Sequence, residues 1–235
     1  MNIKGKKIVV FGGTSGIGLS TIKTLLKYNP SKIYAVSRNP DKLKLRDKKI
    51  ITEQVNVLDE KTVQSFFNKI GKYDVLISTA TGGSRAMGPF LNMKMQAFRD
   101  SFDKLWGYAN VVRYGAKKLN KKGNIVLVSG SPARKSKPGF AAISSTGGAV
   151  EAFVRSVTQE LAPIRINVVS PGIIDTPMSL LKGKARKDFY ASATSNNIIK
   201  RAGTSEEVAK ALIFAIENEF ITGTTIDVDG GWILA

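Results

Sequence analysis

Short runs of apolar, often β-branched residues alternate with longer amphipathic stretches from one end of the chain to the other. The short runs predict strands at Lys7–Phe11, Lys32–Ser37, Lys49–Asn56, Asp74–Ser78, Asn124–Ser129, Arg165–Val169 and Thr224–Val228. The amphipathic stretches predict helices at Gly18–Tyr28, Asp59–Ile70, Met95–Asn120, Ser145–Leu161 and Ser205–Glu217. This alternation implies right-handed crossovers and hence an α/β fold, a doubly wound parallel sheet of about seven strands with helices on both faces. Because the chain has 235 residues and no internal repeat, we expect a single domain, 1–235.

Two features interrupt the regular alternation. The long predicted helix Met95–Asn120 contains Gly107, which costs about 1 kcal/mol against alanine and predicts a bend. The stretch 178–201, called the lid segment below, is polar, rich in lysine and serine, and without a clear period. A long insertion of this kind is more often functional than a linker, so it is predicted to be a substrate loop or lid.

Two residue types are missing from the chain, which contains no cysteine and no histidine. Without cysteine there is no disulfide, no thiolate nucleophile and no thiolate metal site. Without histidine the chain lacks the commonest general base, the usual zinc ligand and any Ser-His-Asp mechanism. We therefore predict no metal site and expect chemistry that uses hydroxyls, lysines, carboxylates or a bound cofactor.

Positive charge dominates the sequence, since 36 Lys and Arg residues outnumber 18 Asp and Glu residues for a net charge of +18. Such an excess attracts phosphates. The basic residues are scattered, however, without the interleaved aromatic residues of a base-stacking surface, which favours a solvated surface over a specific nucleic-acid site. No uncharged apolar run approaches the length of a membrane span, and the first residues do not resemble a signal peptide. We expect a cytoplasmic protein.

A glycine-rich loop, residues 12–18, joins the first predicted strand to the first predicted helix. Its glycines permit a tight turn and let backbone N–H groups approach a pyrophosphate, which then faces the positive end of the helix dipole. The predicted dinucleotide contacts in this loop are Gly12, Thr14, Ser15, Gly16, Ile17 and Gly18. The order of strand, loop and helix predicts a Rossmann-type fold, and the alternative is a glycine-rich turn that binds no ligand.

The second predicted strand ends in Ser37 and Arg38, about 20 residues after the glycine loop. An acidic residue at this place would bind the ribose 2′-hydroxyl of NAD, whereas an arginine matches the 2′-phosphate of NADP. Ser37 and Arg38 therefore favour NADP(H) over NAD(H). Asp41 lies nearby but is predicted to cap the next helix, and the alternative for Arg38 is an exposed loop residue without a ligand.

Five further segments are similar in sequence to segments of a known family. They are Asn56-Val57, Asp74–Ala80, Glu160–Asn167, Ser170–Pro177 and Gly223–Gly231. Together with the glycine loop, they make the chain resemble the short-chain dehydrogenase/reductase family over almost its whole length. The resemblance implies that the nicotinamide end of the coenzyme is lined by Pro171, Gly172, Ile174 and Thr176. It also places Asn56 and Val57 near the adenine, and Asp74–Ala80, which includes Ala80, beneath the adenosine and ribose. Most family members are dimers or tetramers, so it further implies a homodimer or homotetramer that packs through helices 95–120 and 145–161.

The family's usual catalytic residues are missing at the matching positions. Its Tyr and Lys positions fall on Ile143 and Gly147. Its Ser position falls on Gly130, and its helical Asn position falls on Lys104. A Tyr-x-x-x-Lys does occur at Tyr114–Lys118, but late in a helix whose end is expected to point away from the crevice, so we interpret it as structural and solvated.

Lys104 and Ser131 are the predicted catalytic residues. Lys104 is expected in the half of its helix nearest the crevice, where burial would suit it to proton transfer. The alternative is an exposed helical lysine. Ser129 and Ser131 lie at the end of the fifth predicted strand, where a hydroxyl could orient a carbonyl group. Tyr108 follows Lys104 one helical turn later.

These features predict an NADP(H)-dependent oxidoreductase of the short-chain type with an atypical active site. It would move a hydride to or from a small-molecule substrate, either a carbonyl compound or an enone. The alternative is a catalytically silent NAD(P)-binding sensor, scaffold or partner subunit, which the loss of all the usual catalytic residues suggests.

Overall fold

The computed structural model describes residues 1–81 and 83–235, in which nine strands form one large sheet and one small ribbon. The strands are β1 (Lys7–Phe11), β2 (Lys32–Ser37), β3 (Ile50–Gln54), β4 (Tyr73–Ser78), β5 (Leu119–Val128), β6 (Arg165–Pro171), β7 (Ile174–Asp175), β8 (Gly203–Thr204) and β9 (Thr225–Val228). Seven of them form a parallel sheet in the order β3-β2-β1-β4-β5-β6-β9, and β7 pairs with β8.

Helices cover both faces of the sheet. They are α1 (Gly16–Leu26), α2 (Glu60–Ile70), α3 (Met95–Ser101), α4 (Asp103–Ala116), α5 (Ala141–Leu161), α6 (Gly183–Ala193) and α7 (Ser205–Glu217). Side chains alternate across each strand, so Val9 packs in one core with Phe67 of α2, and Val10 packs in the other with Ile22 of α1. The predicted single-domain, doubly wound Rossmann-type fold is confirmed. None of the helices in the described residues is long and apolar enough to cross a membrane.

The order of the strands creates a crevice next to β1. This strand pairs with β2 on one side and with β4 on the other. The connections that follow β1 and β4 therefore leave the sheet in opposite directions, and a crevice opens at the carboxyl edge between them. The glycine loop lies at this edge, directly after β1.

Side-chain caps define two helix starts. Asp59 accepts hydrogen bonds from the N–H groups of Lys61 (3.0 Å) and Thr62 (3.3 Å), which confirms its predicted role at α2. At α7, Thr204 and Glu207 form a reciprocal capping box, in which each side chain accepts from the other residue's N–H. The predicted cap at Asp41 is wrong, since this residue lies inside the 3₁₀ turn Pro40–Lys42 and an extended segment follows.

The predicted helix Met95–Asn120 is in fact two helices, α3 and α4, which meet at Phe102. The N–H of Phe102 bonds to Arg99 O (2.9 Å), three residues back instead of four, and this tighter turn separates the two helices. The bend expected at Gly107 is therefore misplaced. Residues 119–120 belong to β5, and α5 begins at Ala141, before the predicted start at Ser145.

Gly107 is explained by close packing. It is buried inside α4, and a methyl group there would lie 2.6 Å from Cγ2 of Val57, in the loop after β3. Only glycine lets the helix approach the loop this closely. The same loop is held from the helix by Asn110, whose Nδ2 donates to Val57 O (3.0 Å).

We expect Gly107→Ala to lower the free energy of unfolding by about 1–3 kcal/mol, because overpacking against Val57 outweighs the gain in helix propensity. Gly148→Ala is the matched control: Gly148 lies inside α5, where a methyl group would meet only Ala133 O at 3.9 Å. The control should raise stability by up to about 1 kcal/mol. Urea unfolding of both variants measures this, and equal effects would contradict the packing explanation.

Candidate functional site

The glycine loop is held by close contacts that leave no room for side chains. Gly12 has φ +77, and its N–H donates to Val36 O (2.8 Å). A methyl group at Gly12 would lie 2.5 Å from Thr79 Oγ1, and one at Gly18 would overlap the carbonyl oxygen of Gly12. Glycine at both positions therefore keeps the loop's backbone open at the crevice, as the sequence predicts for a pyrophosphate site.

The first turn of α1 begins within this loop. Ser15 occupies the N-cap position in an extended conformation and is exposed, while Thr14 is buried. No side chain of the described residues caps this turn, and its first turn contains no acidic residue. The backbone N–H groups that begin an α-helix favour an anion in such a position.

The segments that follow β4 and β7 lie against the glycine loop. After β4, Thr79 Oγ1 donates to Phe11 O (3.1 Å), so the Thr79-Ala80 stretch lies directly against the glycine loop. After β7, Cβ of Thr176 lies 3.8 Å from the position that a methyl group at Gly16 would take. The structure thus brings the glycine loop, Ala80 and Thr176 together, in agreement with their predicted proximity.

Gly172 and Pro171 close the end of β6. Gly172 N donates to Val228 O (3.1 Å), and a methyl group at Gly172 would lie 2.8 Å from Cα of Asp229. Ile174 follows in β7, where it pairs with Gly203. The turn that the resemblance assigns to the nicotinamide end is therefore fixed by backbone contacts with the last strand and with β8.

Ser37 and Arg38 lie at the carboxyl end of β2, beside the glycine loop. Ser37 Oγ accepts from Asn39 N (3.1 Å), and the carbonyl oxygen of Arg38 accepts from Gln54 Nε2 (3.2 Å). The Arg38 side chain is exposed, and its guanidinium forms no hydrogen bond or ion pair with any described residue. Asn56 Oδ1 accepts from Leu58 N (3.2 Å), which shapes the turn after β3.

A small cavity of about 30 Å³ lies beside this crevice. It is lined by Thr81, Arg85, Ser101, Lys104, Ser129, Gly130, Ile143, Thr146 and Gly147. The lining comes from the loop after β4, the helices α3 and α4, the end of β5 and the first turns of α5. The four positions singled out by comparison with the family, 104, 130, 143 and 147, therefore converge on one cavity, called the Lys104 cavity below.

Lys104 reaches this cavity from the first turn of α4. Its Nζ donates to the carbonyl oxygen of Ser129 (2.8 Å). Burial lowers the pKa of Lys104 to about 7, the nearby charge of Arg85 lowers it too, and Glu151 acts in the opposite direction. The prediction that Lys104 lies in a partly buried position facing the crevice agrees with the structure, and the exposed alternative does not.

A chain of polar side chains runs behind the cavity, and the sequence analysis missed it. Ser129 Oγ donates to Glu151 Oε1 (2.8 Å), and the second carboxylate oxygen lies 3.6 Å from Arg134 Nε. Arg134 also pairs with Asp227 of β9. Glu151 is only 4% exposed, so this network satisfies a carboxylate that would otherwise be costly to bury. The available signal was its spacing: Glu151 follows Gly147 by one turn and sits between Val150 and Val154.

The whole chain was compared with known proteins. A family model described as Enoyl-(Acyl carrier protein) reductase matches residues 14–233. The chain belongs to the short-chain dehydrogenase/reductase family. A short-chain dehydrogenase/reductase of Stachybotrys chlorohalonatus is 28% identical over 252 residues, covering 99% of this chain and 98% of the relative. Carbonyl reductase (NADPH) 2 of Sus scrofa is 27% identical, covering 99% and 98%. The crystal structure of a small-chain dehydrogenase in complex with NADPH has 30% identity and a TM-score of 0.83, covering 99% of this chain and 100% of the other.

Some predicted residues of this short-chain dehydrogenase/reductase lie away from the crevice. Asp74 lies near the start of β4, where it accepts a hydrogen bond from Lys7 N (2.9 Å), so of the stretch 74–80 only the later residues reach the carboxyl edge. Tyr114 OH donates to Glu60 (2.6 Å), and the adjacent Gly115 packs near Tyr73 at the amino end of the strands. The interpretation of Tyr114–Lys118 as structural agrees with this placement.

Ser131 and Tyr108 have buried hydroxyls near the Lys104 cavity. Ser131 is fully buried, its Oγ has no hydrogen-bond partner among the described residues, and the cavity is lined by Ser129 and Gly130 instead. Tyr108 OH donates to Val128 O (3.1 Å), and burial raises the pKa of this phenol. The catalytic role of Ser131 stays a prediction, and Tyr108 contributes to the core.

The lid segment contains a helix where the sequence suggested irregular structure. Arg186 of α6 pairs with Asp175 and donates to the carbonyl oxygens of Thr176 (2.7 Å), Ser179 (2.8 Å) and Leu181 (3.0 Å). One side chain thus ties α6 to the turn that follows β7. Arg186 was not singled out in the sequence, because its partners lie five to eleven residues away rather than at helical spacing.

We expect the stability of the Lys104→Met variant to differ from that of the original protein in a pH-dependent way. Between pH 7 and the ordinary lysine value of 10.5, Lys104 is neutral when folded and charged when unfolded, so its contribution to stability rises with pH. The variant should therefore gain more stability at about pH 6.5 than at about pH 9.5. Urea unfolding measures both, and Lys210→Met, at an exposed lysine of α7, is the control. An equal gain at both pH values would show that Lys104 keeps an ordinary pKa.

Proposed function

We propose that this protein is an NADP(H)-dependent oxidoreductase that transfers a hydride to or from a small carbonyl compound or enone through an atypical active site. The observation that carries the proposal is the position of Lys104, which lines a cavity beside the segment after β4 that packs against the glycine loop. Ala80 lies against the loop, and Thr81, the next residue, lines the Lys104 cavity. A coenzyme held by the loop would therefore lie next to a substrate whose reacting group reaches this small cavity.

The loop and the end of β2 fit a phosphorylated dinucleotide. A methyl group at Gly12 or Gly18 would clash with Thr79 Oγ1 or with the Gly12 carbonyl oxygen, so glycine keeps this turn tight, and α1 begins within it without a side-chain cap on its first N–H groups. Arg38 offers an exposed guanidinium for a 2′-phosphate, and two relatives are named for NADPH: the carbonyl reductase and the small-chain dehydrogenase complex. These features support NADP(H) over NAD(H). When bound, the coenzyme supplies or accepts the hydride.

We expect Arg38→Gln to weaken NADPH binding by about tenfold to a hundredfold, because hydrogen bonds to a charged group contribute about 1.5–3 kcal/mol. NADH binding should not change, since NADH lacks the 2′-phosphate. Fluorescence titration with both coenzymes measures this, with Arg113→Gln on the exposed face of α4 as the control. Equal weakening of both coenzymes would contradict the preference, and no binding of either would contradict the proposed function.

Lys104 is the proposed proton donor and acceptor. In the reducing direction its ammonium gives a proton to the substrate as the hydride arrives, and the neutral amine regains a proton from solvent. The carbonyl oxygen of Ser129 positions Nζ, and Glu151 holds Ser129 from behind. This assignment replaces the family's Tyr and Lys, because Ile143 and Gly147 carry no titratable group.

We expect the rate of NADPH-dependent reduction to fall as pH rises through about 7, where Lys104 loses its proton. Lys104→Ala should lower kcat by about a hundredfold to ten-thousandfold. Glu151→Gln should move the falling limb to lower pH, since the carboxylate raises the pKa of Lys104. NADPH oxidation by a panel of small ketones, aldehydes and enones measures these changes. Lys118→Ala, at the distant end of α4, is the control, and an unshifted limb in Glu151→Gln would contradict the role of Lys104.

The second candidate function is a catalytically silent NAD(P)-binding sensor, scaffold or partner subunit. It is favoured by Ile143, Gly147 and Gly130, which remove the hydroxyls and the amine that the resemblance leads one to expect in this cavity. Coenzyme binding without turnover of any member of the substrate panel would support it. Turnover that disappears in Lys104→Ala would exclude it.

The assembly expected from the resemblance stays a prediction. Trp106 lies on α4 and is 61% exposed, which is unusual for an indole of this size. A homodimer or homotetramer that packs through α4 and α5 would cover it.

A further inference from the structure

The charge of the Lys104 cavity is unbalanced. Two of its lining side chains, Arg85 and Lys104, are basic, and none of its described lining residues is acidic. Glu151 lies behind Ser129 rather than in the lining. A cavity lined by two basic groups, with no acidic group among its described lining residues, attracts an anion.

Arg85 differs from three arginines that anchor loops in this protein. Arg134, Arg186 and Arg201 each pair with at least one carboxylate. The guanidinium of Arg85 instead lies 3.1 Å from the sulfur of Met178, in the lid segment, and forms no ion pair with any described residue. Thioether sulfur is a weak acceptor, so the donors of Arg85 remain available to a stronger one.

Arg85 and Lys104 also act on each other. The charge of Arg85 disfavours the ammonium form of Lys104. An anion bound between them would remove this repulsion and favour the charged lysine. Binding of an anion at neutral pH would therefore be accompanied by uptake of a proton at Lys104.

We propose that the substrate carries a carboxylate, which binds at Arg85 in the mouth of the Lys104 cavity and leaves its carbonyl group or double bond at Lys104. The substrate class is thus an oxo acid or an unsaturated acid rather than a neutral ketone. This inference rests on the proposed function and narrows its substrate class. Arg85 is the residue that determines this specificity, because its planar guanidinium binds a carboxylate with two parallel hydrogen bonds.

The test compares each acid with its own neutral ester. The probes are 2-oxobutanoate and 4-oxopentanoate, and each is titrated calorimetrically beside its methyl ester into protein saturated with NADP⁺, which permits binding without reduction. We expect at least one acid to bind about ten times more tightly than its ester, or better. Arg85→Gln should remove this difference, Arg85→Lys should restore part of it, and Arg155→Gln, on the exposed face of α5, should leave it unchanged.

Proton uptake gives a second readout. Repeating the titration near pH 7.5 in buffers with different ionisation enthalpies should show that the acid, but not the ester, takes up protons. The uptake should disappear in Lys104→Met. Equal affinity for acid and ester, no binding of either probe, or no effect of Arg85→Gln would overturn the proposal.

The two proposals can fail separately. If NADP⁺ does not bind, the proposed function fails, and the acids are then titrated without coenzyme. Acid binding that still depends on Arg85 would support the anion site. If the acids do not bind, the anion site is wrong as well. If NADP⁺ binds but acid and ester are not distinguished, only the substrate class is wrong.

Discussion

The pairing of β1 with β2 on one side and β4 on the other is the constraint on which both halves of the site depend. Because β4 lies next to β1, Thr79 reaches the Phe11 carbonyl and forms a wall against which only glycine fits at position 12. The chain continues from this wall to Thr81 in the Lys104 cavity. One short connection therefore links the proposed coenzyme site to the proposed substrate site.

Lys104 shows how a chain without histidine can acquire a group that titrates near neutral pH. Loss of water lowers the pKa of its ammonium, Arg85 lowers it further, and Glu151 opposes both. Glu151 offsets only part of the effect, and its carboxylate is held in place by Ser129 and Arg134. The resulting balance depends on three charges from three separate parts of the chain.

Features set by local sequence were predictable, and features set by distant contacts were not. The strands could be predicted from their short apolar runs, and the glycine loop from the tight turn that its glycines permit. The break at Phe102, the reason for Gly107 and the helix α6 depend on packing that no local pattern reports. Glu151 was missed for the same reason, since its partner Ser129 lies 22 residues away. Lys104 was identified from the family resemblance, which assigns it to the family's helical Asn position, and not from the hydrophobic period of its helix.

Arg186 has a mechanical consequence for access to the crevice. Its bonds to Asp175 and to three carbonyl oxygens join α6 to the turn that contains Thr176 and Met178. An outward movement of α6 must either break these bonds or move the turn together with the helix as one rigid unit. In the second case Thr176 would move away from the glycine loop when Met178 moves away from Arg85. Opening of the proposed coenzyme site would then be coupled to opening of the proposed substrate site.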